Sequence, residues 1–141
     1  MLDKAQYYHG AAIMALLEHN QFSVKKMGTL GYVVNDKVFA FLKYTTKNKT
    51  PWQFSFDQED VDRCVKMASS HKALVVGLVC GGDGICALTW DEVKMLLNSK
   101  PGRISTKRKH NESYGVVGSQ GELKRKIAVG RWPTLVSEII I

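Results

Sequence analysis

The longest uninterrupted apolar stretch in this chain is eight residues, 73–80. A bilayer-spanning helix needs about 20, so no membrane association is expected. Residues 1–18 contain Asp3 and Lys4 and show no cleavage pattern, so no secretory leader is expected either. Cysteine is scarce: Cys64, Cys80 and Cys86 are an odd set without a C-x-x-C pair. They read as buried thiols in a reducing, cytoplasmic setting, with a zinc site involving His71 as the remote alternative. Phosphate-loop spacing is absent, because residues 81–84 (Gly-Gly-Asp-Gly) have no trailing Lys-Ser/Thr and read as a hairpin turn. No G-x-S-x-G elbow occurs. His9 and His19 are ten apart on one helix and face different ways, which disfavours a metal pair.

What the chain has is positive charge, unevenly spread. Its 141 residues carry a net +7, with a mean hydropathy of −0.16. That balance suits one globular domain, with residues 1–102 as an α/β core and 103–141 as a basic β-meander and apolar tail. Residues 1–102 hold 12 Lys/Arg against 10 Asp/Glu, whereas residues 103–131 hold 8 against 2. Such a segment is a landing surface for a polyanion. The candidate contacts are Arg103, Lys107, Arg108, Lys109, Lys124, Arg125, Lys126 and Arg131, joined by Lys47 and Lys49 of a polar loop. An acidic protein is the other partner that such a surface suits.

Periodicity predicts a helix over 2–19, with Ile13, Leu16 and Leu17 inward and Gly10 at a close backbone approach. Strands follow at 29–35, 38–46 and 51–56, the last alternating Trp52, Phe54 and Phe56 with polar residues. Asp57 caps a helix to about residue 71, whose apolar stripe is Val61, Cys64, Val65 and Ala68. Residues 73–80 are apolar on both faces, as in the middle of a covered sheet. Residues 85–88 return as a strand, and Thr89 with Glu92 forms a capping box for a helix through 97. Three further strands are expected at 103–109, 114–118 and 123–129. Trp132-Pro133 interrupts, and 134–141 is either a last strand or a docked helical turn. As a strand, the tail Leu135, Val136 and Ile139 to Ile141 would offer an edge for a homodimer.

The order helix, three strands, helix, strand defines an α/β (α+β) class with a C-terminal antiparallel extension. Together with residues 40–46 (Ala-Phe-Leu-Lys-Tyr-Thr-Thr), the aromatic strand 51–54 and the acidic start 57–60, it resembles the PD-(D/E)XK, or restriction-endonuclease-like, nuclease superfamily over residues 29–80. The resemblance implies a metal-dependent nuclease core in which carboxylates hold Mg²⁺ and a lysine assists the attacking water. Lys43 matches that lysine. Phe41 stands where the acid of the acid-x-lysine trio belongs, and Val33 where the strand aspartate belongs; neither can ligate a metal. Glu18 matches an acid sometimes found on the first helix, and Asp36 and Asp57 are the nearest carboxylates for a site whose acids have migrated. Two other acid-x-lysine trios, at 92–94 and 122–124, are of the frequency that six glutamates and fifteen lysines produce by chance.

Three readings follow. The leading one is a catalytically degenerate, nuclease-like domain that binds DNA or RNA without a cofactor. The second is a Mg²⁺-dependent endonuclease using Lys43 with Glu18, Asp36 or Asp57. The third is a protein-interaction or inhibitor module with a basic surface. Tyr44, Trp52, Tyr114 and Trp132 lie near basic residues in sequence and are candidates for base stacking, although the alternation around Trp52 reads as core.

Overall fold

Thirteen elements make up the fold in the computed structural model, which describes residues 2–28 and 31–141. Helix α1 (Lys4–His19) begins at Asp3, whose side chain accepts from the Gln6 N–H while the Gln6 side chain returns to the Asp3 N–H. The hairpin β1 (Val24–Met27) and β2 (Gly31–Val34) leads into β3 (Val38–Thr45) through Asn35 and Asp36, both in the left-handed region. Strand β4 (Trp52–Phe56), helix α2 (Gln58–Ser70), β5 (Ala73–Cys80) and β6 (Gly84–Thr89) come next. They are followed by α3 (Trp90–Leu97), β7 (Gly102–Lys107), β8 (Gly115–Gly118), β9 (Gly121–Glu122) and α4 (Arg131–Ile140).

The strands form two sheets, ordered β1-β2-β3-β5-β6 and β4-β7-β8-β9. Only β3 and β5 run parallel, with α2 in the connection between them. Both faces of the first sheet are covered, which is why β5 is apolar throughout. Phe39, Phe41, Leu74, Val76 and Leu78 pack with α2, α3 and the second sheet. Ala40, Leu42, Val75 and Val79 pack with α1 and α4. The class is mixed α/β with an antiparallel C-terminal sheet, as expected.

Several expectations need correction. Strand β1 was not anticipated: it is an edge strand whose two lysines are exposed, so it lacks an alternating pattern. Of the strand expected over 29–35, residues 31–34 form β2, and Thr29 and Leu30 lie outside the described residues. The three strands that precede α2 within the first sheet are therefore β1, β2 and β3. Strand β4 leaves that sheet and pairs with β7, Phe54 opposite Ile104. Open space surrounds Gly10, and Leu17 and Val65 are largely exposed, Met67 taking the inward place on α2 instead.

The tail takes the helical one of its two expected forms, and Trp132 and Pro133 lie inside the helix rather than interrupting the chain before it. Pro133 sits in the first turn of α4, where its missing N–H has no intrahelical acceptor to lose. Trp132, Leu135 and Val136 are buried against α1 and the first sheet, and the Trp132 indole N–H donates to the Ala12 carbonyl at 2.9 Å. The strand edge envisaged for a homodimer is thus not formed.

Candidate nucleic-acid interface and the cavity around Lys43

The strand expected over 123–129 also fails to form, and what replaces it shapes the basic surface. β8 pairs with β9 at Val117–Glu122 and Gly118–Gly121, and the Leu123 N–H donates to the Val116 carbonyl. The next fixed point is Tyr114, which exchanges both backbone hydrogen bonds with Ile127 at 2.8 Å. Between these points, Lys124, Arg125 and Lys126 face a single residue, Gly115. The surplus chain leaves the sheet as a bulge of three consecutive cations.

Beside this bulge lies a groove of about 470 Å³. Lys107, Arg108 and Lys109 line it from the β7 end, Lys124 and Lys126 from the bulge, with Val116, Val117 and Leu123 between and the carboxylates of Glu112 and Glu122 also present. Five of the eight basic residues singled out in the last third thus share one groove. Arg125 is exposed on the bulge itself. The β3–β4 loop joins the same end, because the Arg108 N–H donates to the Thr50 hydroxyl at 3.3 Å. Lys47 and Lys49 on that loop are exposed.

Four of the expected cations have partners within the chain. Arg108 donates to both oxygens of Asp83, at 2.7 and 2.8 Å. Arg131 donates to Glu92 at 2.7 Å and to the Ala87 carbonyl at 3.1 Å, tying α4 to β6 and α3. Arg103 is exposed and reaches the Gln53 side chain at 3.2 Å across the β4–β7 pair. Lys126 makes an exposed 3.5 Å contact with Glu112, an ion pair worth little in water.

Asp83 escaped the sequence reading, where it is one letter of a hairpin turn. Its carboxylate also accepts from the Tyr114 hydroxyl at 2.7 Å. Burial works against its charge, and the hydrogen bonds from Arg108 and Tyr114 outweigh this, holding its pKa below the ordinary aspartate value. Burial and the bond to Asp83 push the Tyr114 phenol far up. The signal that could have found Asp83 is a lone carboxylate in the glycine-rich turn of an otherwise apolar hairpin.

A second cavity, of about 360 Å³, lies beside Gly31 and Tyr32 of β2 and residues 41–43 of β3. Lys43 lines it, with its ammonium 2.8 Å from Asp60 and 5.1 Å from the centre of the Phe56 ring. Asp60, on the first turn of α2, also accepts from the Asp57 N–H. Arg63, Tyr32, His9 and Lys26 complete the charged and polar lining with Asp3 and Gln6. His9 Nδ1 is 3.2 Å from the Tyr32 hydroxyl. Burial, then Lys26, lowers the His9 pKa against a weaker upward pull from Asp3.

Glu18, Asp36 and Asp57 do not line this cavity. Glu18 is exposed on the last turn of α1. Asp36 sits in the β2–β3 turn, 3.4 Å from Lys25, and Asp57 caps α2 through the Asp60 N–H. Among the described residues no three His, Cys, Asp or Glu side chains gather as a metal set. Phe41 is buried in the core and Val33 packs against it. Mg²⁺ requires oxygen ligands, and the carboxylate of Asp60 is already engaged by Lys43 and Asp57. The donor set around Lys43 does not fit the ion.

The aromatic candidates for base stacking are spent elsewhere. Trp52, Tyr114 and Trp132 are buried, and Tyr44 stacks on Tyr8 with ring centres 5.1 Å apart. The three cysteines are free and buried, and the His71 ring lies 3.0 Å from the Met67 carbonyl.

No protein-family model matches the chain, and no curated protein matches it. Among solved structures the chain is similar to Hjc of Archaeoglobus fulgidus, a Holliday junction resolvase from an archaeal hyperthermophile. Identity is 13%, over 83% of this chain and 85% of that one, with a TM-score of 0.48.

Proposed function

We propose that this chain is a nucleic-acid-binding domain on a nuclease-like fold, and that it takes phosphodiester backbone in the groove between β7 and the 124–126 bulge. The observation that carries the reading is the gathering of Lys107, Lys109, Lys124 and Lys126 in one groove, with Arg125 exposed on the adjoining bulge. Beyond Arg108, whose guanidinium is held by Asp83, these five cations outnumber the two carboxylates that line the groove, Glu112 and Glu122. Lys47 and Lys49 extend the surface at one end. Lys43 is a poor candidate for catalysis in this reading, because its ammonium is held by Asp60.

Fluorescence anisotropy with labelled 20-mers, single- and double-stranded, of DNA and of RNA, tests it. Five phosphate contacts on a duplex predict a fall in affinity of about 500-fold between 50 and 200 mM salt. Reversing two charges, Lys107→Glu with Lys124→Glu, should weaken binding at least about tenfold at the lower salt. Absence of binding to all four probes would remove the reading. Tighter binding of a polyglutamate peptide than of nucleic acid would favour an acidic protein partner. Plasmid cleavage that requires Mg²⁺ and is lost in Lys43→Ala would replace it with a nuclease.

A further inference from the structure

We propose that Asp83 is the positioning residue of the basic groove: one carboxylate, contributed by the β5–β6 turn of the other sheet, holds both walls in place. The inference rests on the groove being the nucleic-acid site.

The first wall is held through Arg108. Its Nε and one terminal nitrogen donate to Asp83 in the two-pronged geometry that fixes a guanidinium in its plane. The other terminal nitrogen donates to the Glu112 carbonyl at 3.2 Å, with the Lys109 carbonyl at 3.5 Å. The loop from 108 to 113 therefore curls around a side chain that Asp83 immobilises, and Lys107 and Lys109 flank that side chain. The second wall is held through Tyr114. Its hydroxyl donates to Asp83, and its backbone is the anchor to which Ile127 returns after the bulge. The ends of the 124–126 excursion are thus Leu123, fixed by Val116, and Ile127, fixed by the residue that Asp83 holds.

The arrangement leaves little slack. Tyr114 is fully buried, and any side chain at Gly84 would meet its hydroxyl at 2.8 Å and Val129 at 3.0 Å. Nearby, the Cys80 sulfur lies 3.3 Å from the Thr106 hydroxyl, a second polar link between the two sheets. Asp83 supplies no charge that a polyanion would seek. Its service is to hold a loop and a bulge, both rich in lysine, in fixed positions against their mutual repulsion.

This gives a sign opposite to that of simple electrostatics. Asp83→Asn removes a negative charge beside the groove, and Coulomb attraction alone would then tighten binding to a labelled 20-mer duplex. Positioning predicts the reverse, a loss of about tenfold or more at 50 mM salt, with a shallower salt dependence because fewer phosphates are met together. Asp83→Glu, which keeps the charge and the acceptor oxygens, should recover part of the loss. Amide hydrogen exchange on the unbound variants gives an independent reading: Asp83→Asn should speed exchange at Glu112, Tyr114 and Ile127 while leaving β3 and β5 protected.

Asp83→Asn binding as tightly as the native chain, or more tightly, would overturn the proposal and leave the groove as the binding site. Unchanged exchange at all three amides would overturn it whatever the binding. A native chain that binds no probe would overturn the groove reading itself, and Asp83 with it. Global unfolding of the asparagine variant, seen as lost protection in β5, would also count against a positioning role if the glutamate variant folds yet recovers no affinity.

Discussion

At the scale of single residues, Lys43 is held on both sides, by a carboxylate and by the Phe56 ring. Replacing it with methionine keeps the stem against Phe56 and leaves the largely buried Asp60 without its cation. Lys43→Met should cost about 1–2 kcal/mol in urea denaturation, and the double variant with Asp60→Asn should recover most of that. The thiols give a second prediction. Burial pushes Cys64 up to about 12 and Cys80 up to about 11, from an ordinary 9.0. Iodoacetamide at pH 8 should therefore label none of the three in the folded chain and all three in guanidinium, read by mass. Because the unfolded thiols ionise first, stability that is complete below about pH 9 should decline as pH rises towards 11. The sequence carried the matched lysine and the buried thiols plainly. It did not carry Asp60 as the partner of Lys43, since that pairing depends on how the first turn of α2 meets β3.

Among the elements, α4 shows best how side-chain identity and neighbourhood combine. Its Trp132 lies over Gly77 of β5, where an added methyl group would come within 2.9 Å of the indole and 2.8 Å of Leu42. Gly77→Ala should thus destabilise the fold by about 1–3 kcal/mol through overpacking, measurable as a lower melting temperature. The helices with capping boxes at Asp57 and Thr89 were readable because the caps are local, and the structure places both as expected. Helix α4 was readable only as one of two alternatives, because its N-cap is Gly130 and no side chain caps it. Residues 123–129 look like a strand by composition and fail to be one for a reason outside the segment. Tyr114, drawn to Asp83, pairs with Ile127, two places out of step with the β8–β9 register, and the three residues between have no partners left.

Over the whole molecule, residues 1–102 are nearly balanced in charge and residues 103–131 carry the cationic excess. The groove collects lysines from both ends of the basic segment. That clustering was legible from counts of Lys and Arg. The division of labour within it was not, because Arg108 and Arg131 look like their neighbours until Asp83 and Glu92 are seen beside them. Likewise, the order of elements conveyed the α/β class, whereas the assignment of strands to sheets depended on a pairing between residues 50 apart.

That pairing makes the two sheets interdependent in time as well as in space. β4 emerges early in the chain, ahead of α2, with Trp52, Phe54 and Phe56 on one side, yet the strand it needs is β7. Until residues 102–107 have been synthesised, an aromatic strand waits with no partner along that edge. A chain terminated near residue 100 would keep all five strands of the first sheet and still expose this edge, which is the kind of surface that seeds association between unfinished copies.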